Sequence, residues 1–121
     1  MQNAKALAVT YINAWNAHDA GERRALVGAV WAAGGSYCDP MMHADGVDNI
    51  CEMIGAAQQN FPGHVFTLKD QVDAHHEFIR FAWDVGVPGK PVTASGTDVC
   101  HVSADGRFKE VVGFIDMMPG Q

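Results

Sequence analysis

The chain is poor in positive charge, with 8 Lys and Arg against 14 Asp and Glu for a formal net charge of −6. Nucleic acids and anionic membranes are bound through clustered bases that displace counterions, and the longest basic run here is Arg23-Arg24. Neither is therefore expected as a partner. Long hydrophobic runs are also missing: no stretch reaches the ~20 apolar residues that span a bilayer. The N-terminal segment Ala6 to Trp15 is interrupted by Asn13, unlike a secretory leader. Cysteine is scarce as well. Cys38, Cys51 and Cys100 cannot all pair with one another and form no Cys-x-x-Cys, which argues against a zinc site and for reduced, buried thiols in a cytoplasmic protein. No metal is expected. His75-His76 are adjacent, and neighbouring residues of a regular strand point to opposite faces, so they read as surface histidines.

What is present suits one globular domain over residues 1–121, 48% apolar and long enough to bury a core without staples. Ala4, Leu7, Ala8, Tyr11, Trp15 and His18 recur at helical spacing and predict a helix over about 3–17. A second helix is expected over about 21–32, carrying Leu26, Val27, Val30 and Trp31 inward and stopped by Gly34-Gly35. Ser36 to Pro40 reads as a short strand that leaves Asp39 at its end, followed by a loop over Met41 to Asp45. A third helix over about 46–60 stops at Pro62-Gly63. From His64 onward the period changes from about 3.6 to 2, predicting strands over about 64–72, 76–87, 91–103 and 107–117. The fold class is α+β: three N-terminal helices on one face of a curved, mainly antiparallel sheet.

Strand parity singles out one acid. With Asp105-Gly106 as a two-residue turn, Asp98 lies opposite Gly113, and the inward set is Val92, Ala94, Gly96, Asp98, Cys100 and Val102 with Val111, Gly113, Ile115 and Met117. An even-length loop at Pro88-Gly89 adds Ile79, Phe81, Trp83 and Val85 to that face, while Thr93, Ser95 and Thr97 fall on the other. Asp98 is the lone acid in an apolar patch. Burial disfavours its charged form, and a neutral carboxylic acid can donate a hydrogen bond. The alternative is a structural acid that caps a backbone group or pairs with a base, but no obvious base faces inward, and Arg80 points outward on this register. Gly96 and Gly113 leave room in front of the carboxyl, which suggests a pocket.

With these elements placed, the segments Tyr11 to Asp19, Asp39-Pro40, Gly96-Thr97-Asp98, Asp105-Gly106-Arg107 and Gly113 to Asp116 resemble the NTF2-like superfamily of cone-shaped α+β barrels, which includes ketosteroid isomerases and SnoaL-like polyketide cyclases. The resemblance implies a cofactor-independent acid/base enzyme that moves a proton on an apolar cyclic carbonyl compound through a dienolate. In that scheme Asp39 is the base, and Tyr11 and a protonated Asp98 are donors to the developing oxyanion, a role for which this enzyme family is itself the standard example. Taken alone, Tyr11 is equally well read as a core tyrosine. Trp15, Trp31, Phe81, Trp83, Val111, Gly113 and Ile115 are the expected substrate-contacting residues, with His43 as a possible second acid/base group. Two alternatives stand beside this reading: a polyketide cyclase or dehydratase acting through Asp98 with His43, and a non-catalytic domain that binds a hydrophobic ligand. The Arg-x-Asp pair of the superfamily's epoxide hydrolases does not occur in the chain. Val99, Val112 and Phe114 make the outer sheet face partly apolar, and by analogy with the superfamily a homodimer is expected through it.

Overall fold

A computed structural model describes residues 3–118. Helix α1 (Ala4–Asn16) starts at Asn3, whose side chain accepts from the Ala6 amide, and α2 (Ala20–Val30) starts at Asp19, whose carboxylate accepts from the Glu22 amide. Strands β1 (Trp31–Cys38) and β2 (His43–Asp45) precede α3 (Val47–Asn60). Then come β3 (Val65–His75), β4 (Phe78–Gly86), β5 (Val92–Val102) and β6 (Phe108–Met117). The six strands form one sheet in the order β2-β1-β6-β5-β4-β3, antiparallel throughout except for the β1/β6 pair. The helices cover its concave face. Between them lies an apolar core that includes Ile12, Val27, Val30, Ile50, Ile54, Ile79 and Phe108, and no helix is long and apolar enough to cross a membrane among the described residues.

Two local expectations are corrected at β1. Helix α2 ends at Val30 and runs without a loop into the strand, so Trp31 is a strand residue and Gly34-Gly35 lie inside β1 rather than stopping a helix. Gly35 sits where the strand presses on its neighbours: a Cβ there would come within 2.8 Å of the Trp31 ring and 2.9 Å of the Phe108 carbonyl. The expected loop after Pro40 holds a short strand, β2, which pairs with Ser36 to Cys38.

The meander follows the parity argument through its centre, with Asp98 paired to Gly113, Phe81 to Asp98 and Trp83 to Gly96. It departs at three bulges. Lys109 is unpaired between Glu110 and Phe108, which returns Phe108 to the core. Asp116 is unpaired between Ile115 and Met117, so Met117 pairs with Ser95 and is exposed instead of inward. Thr93 is unpaired between Ala94 and Val92, which leaves Val92 exposed and swings Thr93 off the outer face. Each inserted residue flips the phase of those beyond it. Of the cysteines, Cys100 is buried, Cys51 is half-buried and Cys38 is exposed, against the expectation of three buried thiols. His76 lies at the β3/β4 turn with φ +50°, which brings its Nδ1 to 3.1 Å from that of His75; both rings are exposed. The outer sheet face leaves Phe78 and Phe114 exposed.

Candidate active site

The apolar stripe of α1 lays Tyr11 over the middle of the sheet, where both it and Asp98 are 1% exposed. The Tyr11 hydroxyl donates to Asp98 Oδ2 at 2.6 Å. Asp98 Oδ1, equally buried, has no hydrogen-bond partner among the described residues, and neither has the Trp15 indole N–H. Burial pushes the Asp98 carboxyl up to about 6; the Tyr11 hydrogen bond and the nearby Trp83 indole hold it down in part, and the charges of Asp39 and Asp116 add a small upward push. The same desolvation, with the Asp98 charge next to it, raises the Tyr11 hydroxyl well above an ordinary phenol. Among the described residues no base relieves the site: Arg80 is on the outer face, 2.6 Å from Asp73.

A second carboxyl stands just beyond β1. Asp39 Oδ1 accepts from the backbone amides of Met41 and Met42, each at 2.8 Å, and Oδ2 accepts from the Tyr37 hydroxyl at 2.6 Å. Burial, then the Asp98 charge, then the bond to Asp39 raise the Tyr37 hydroxyl. All three groups converge on Gly113. A Cβ at that position would lie 2.8 Å from Asp98 Oδ1 and 3.2 Å from both Asp39 Cβ and the Tyr37 hydroxyl oxygen. Tyr37 is absent from the set expected from sequence. Its signal was its spacing: residues two apart on a strand share a face, so Tyr37 accompanies Asp39.

These groups open onto a cavity of about 270 Å³. Of the residues expected to contact substrate, Trp15, Trp83 and Ile115 line it, as do Tyr11, Asp39 and Asp98. Trp31 and Phe81 do not. They pack behind Tyr11, each with its ring centre 5.2 Å from the phenol's, and so fix that ring instead of touching a ligand. Val111 and Gly113 are also in the layer behind the wall, and His43 is exposed on β2, away from the cavity. Residues not expected complete the lining, among them Tyr37, Met42, Phe66, His64 and Thr93. Gly96 makes room for Trp83: a Cβ there would fall 2.4 Å from the indole and 2.5 Å from the Phe114 carbonyl.

Chemically, the cavity is a greasy pocket with polar atoms gathered at its inner end, as small-molecule sites commonly are. A buried acid–phenol pair supplies a hydrogen-bond donor away from water, and a separate carboxylate supplies a proton acceptor. Among the described residues, no three His, Cys, Asp or Glu side chains gather as a metal site would require.

The comparisons with known proteins agree with this fold. The SnoaL-like domain pattern matches residues 8–111. The crystal structure of a "putative isomerase of the SnoaL-like family" from Agrobacterium tumefaciens strain C58 is 43% identical and superimposes with a TM-score of 0.91, covering 97% of this chain and all of that one. A SnoaL-like protein of unknown function from Burkholderia thailandensis superimposes with a TM-score of 0.73 at 18% identity, over 94% of this chain and 95% of that one. A "putative polyketide cyclase" from Sinorhizobium meliloti gives 0.68 at 18% identity, over 88% and 92% respectively. At such identities the last two speak for the fold alone. Among curated proteins none matches the chain. A family pattern spanning most of the chain, on the three-helix, curved-sheet architecture, settles the family: this protein belongs to the SnoaL-like family of the NTF2-like superfamily.

Proposed function

We propose that the protein is an acid/base isomerase that moves a proton between carbon atoms of an apolar, ring-containing ketone without a cofactor. The observation that carries this is the unpartnered Oδ1 of buried Asp98, with Tyr11 donating to Oδ2, at the inner end of an apolar cavity that also contains Asp39. In the neutral acid, Tyr11 holds Oδ2 and the carboxyl hydrogen on Oδ1 is left for a substrate carbonyl. Asp39 removes a proton from a carbon beside that carbonyl, the electron pair of the C–H bond moves into an enolate, and negative charge builds on the oxygen facing Asp98. Reprotonation by Asp39 at a conjugated carbon collapses the enolate and returns both carboxyls to their starting states. Donors fixed in place in a dry site stabilise that charge far better than water does.

The name of the Agrobacterium relative supports an isomerase. The test is a panel of β,γ-unsaturated cyclic ketones followed by the ultraviolet absorbance of the conjugated product. Turnover by the wild type that falls by at least about a hundredfold in Asp39→Asn supports the assignment, since positioned acid/base groups contribute about 10²–10⁴-fold. Activity that survives Asp39→Asn removes Asp39 as the base, and ligand binding without turnover makes the protein a binding domain.

A further inference from the structure

At the outer end of the cavity, one polar pair stands apart from the apolar wall. Residues Phe61-Pro62-Gly63-His64 form a tight turn closed by the His64 amide on the Phe61 carbonyl at 3.2 Å, with Gly63 at φ +76°. Proline followed by a glycine of positive φ is the signature of a type II turn, and it delivers His64 to the cavity wall. His64 Nδ1 is 3.1 Å from the Pro62 carbonyl, which can only accept, so Nδ1 carries the ring hydrogen. Nε2 of the neutral ring is then an acceptor. It takes the hydrogen of the Thr93 hydroxyl at 3.0 Å, which leaves the Thr93 oxygen with lone pairs to spare and no hydrogen to give.

Thr93 would not be there in a regular strand. Alternation puts it on the outer face with Thr97, but it is the unpaired residue of the β4/β5 bulge, between the Val85–Ala94 and Gly86–Val92 pairs. Bulges recur beside sites where a side chain has to be re-aimed. Gly86 accommodates the distortion: a Cβ there would lie 3.3 Å from the α-carbon of Val92. The other polar side chain in this part of the wall is already committed. Gln58 gives its amide hydrogens to the Trp15 and Ala17 carbonyls at 2.9 and 2.8 Å, and its oxygen accepts from Arg23 at 2.9 Å. Of these polar side chains, Thr93, held by His64, retains the capacity to accept a hydrogen bond from a ligand.

We infer that Thr93 and His64 form a second, distal anchor in the cavity, which accepts a hydrogen bond from a hydroxyl at the far end of an elongated, largely apolar ring compound. The inference rests on the proposed function, in which the other end of the same ligand presents its oxygen to the Asp98 carboxyl that Tyr11 holds. Asp98 and Thr93 are five positions apart on β5, roughly 15 Å between α-carbons. The wall between them is apolar, formed by Trp83, Val85, Ala94 and Ile115. A ligand with one oxygen at each end and a hydrocarbon middle matches that pattern, whereas a compound with a single polar end leaves the distal acceptor without a donor.

Two matched pairs of planar phenols test this: 2-naphthol against 2,6-dihydroxynaphthalene, and 4-phenylphenol against 4,4′-dihydroxybiphenyl. Their dissociation constants are measured by titration calorimetry on the full chain. The readout is the ratio within each pair, which cancels any general loss of packing in a variant. In the wild type the dihydroxy member of at least one pair is expected to bind about tenfold more tightly, the worth of one hydrogen bond. Thr93→Val should bring that ratio to within about twofold of one, His64→Phe should lower it, and Thr93→Ser should preserve it. A ratio that persists in Thr93→Val, or one near unity in the wild type while the single phenols bind, overturns the distal anchor and leaves the inner site standing. If no phenol of either pair binds the wild type, or if Asp98→Ala leaves binding of the single phenols unweakened, the inner site falls, and the distal anchor with it.

Discussion

Gly113 faces Asp98 directly across the β5/β6 pair, and the place its missing side chain would occupy is 2.8 Å from Asp98 Oδ1. The glycine is what allows a carboxyl to sit upright in a packed sheet with a second carboxyl and a phenol beside it. Gly113→Ala should therefore displace the Asp98 side chain while leaving the strand paired. The expected stability cost is about 1–3 kcal/mol, the usual result of overpacking by one methyl group. Turnover should fall far more than stability. Steady-state kinetics beside thermal melts check this, and an alanine variant with full turnover would show that Asp98 is not held by Gly113.

Asp98 should leave a mark on the pH dependence of stability. Its carboxyl is raised in the fold to about 6, against about 3.9 in an unfolded chain. The native state thus binds more protons than the unfolded state between about pH 4 and 6, and stability falls as pH rises through that window, then levels off. A difference of that size between the folded and unfolded carboxyl corresponds to a loss on the order of 2–3 kcal/mol. Asp98→Asn lacks the titrating group, so urea melts of the two proteins should diverge over this range, with the variant gaining relative to the wild type. Parallel curves would mean that Asp98 does not titrate there.

The same group sets an expected direction for catalysis. Only the neutral carboxyl can donate to an enolate, so kcat/KM should decline as pH rises past about 6. Isomerisation followed across pH 5 to 9 checks this. A rate that instead increases through pH 6 would assign Asp98 to the ionised, proton-accepting role.

Tyr37 is the simplest test of how Asp39 is held. Among the described residues its hydroxyl is the one side-chain donor to Asp39, while the Met41 and Met42 amides hold the other oxygen. Tyr37→Phe leaves those amides in place and removes a partly buried hydrogen bond worth about 1–3 kcal/mol. The expected result is a folded protein in which kcat drops by about tenfold or more, with a smaller change in KM. Loss confined to KM would mean that Tyr37 binds ligand and does not position the base.

The central part of the site was legible because side-chain phase survived two offsetting departures. Even-length turns at Asp105-Gly106 and Pro88-Gly89 give the Asp98–Gly113 pair and the inward phase of Phe81 and Trp83; both loops are in fact odd, with Ser103 bonded to Arg107 and Gly86 paired with Val92, and the bulges at Lys109 and Thr93 restore the phase. The helical period places Tyr11 above them. Features that depend on a single inserted residue were not legible. Nothing in the residues around Thr93 distinguishes a bulge from a regular pair, yet it decides whether a threonine faces the cavity. Gly34-Gly35 misled for a related reason: glycine ends helices, but it also lets strands approach closely, and only the tertiary contact with Trp31 distinguishes the two. Reading Trp31, from a helical stripe, and Phe81, from strand parity, as ligand contacts fails because an inward position does not separate the layer that lines a cavity from the layer behind it.

Gly96 separates the two uses of glycine on this sheet. A Cβ at Gly113 meets two side-chain ends that can swing away, Asp98 Oδ1 at 2.8 Å and the Tyr37 hydroxyl at 3.2 Å, and approaches the fixed Asp39 Cβ no closer than 3.2 Å. At Gly96 it meets the Phe114 carbonyl at 2.5 Å, which is backbone, as well as the Trp83 ring at 2.4 Å. Neither neighbour can move without cost, because Phe114 lies in the adjoining strand and Trp83 is wedged against Phe66, with their ring centres 5.4 Å apart. Gly96→Ala should accordingly destabilise the fold more than Gly113→Ala does, by more than about 3 kcal/mol. The β5/β6 pairing should open, and tryptophan fluorescence should shift as Trp83 is driven into the cavity. Equal costs for the two variants would mean that the sheet yields as readily as a side chain, and the close approach of Trp83 to β5 would then not need a glycine.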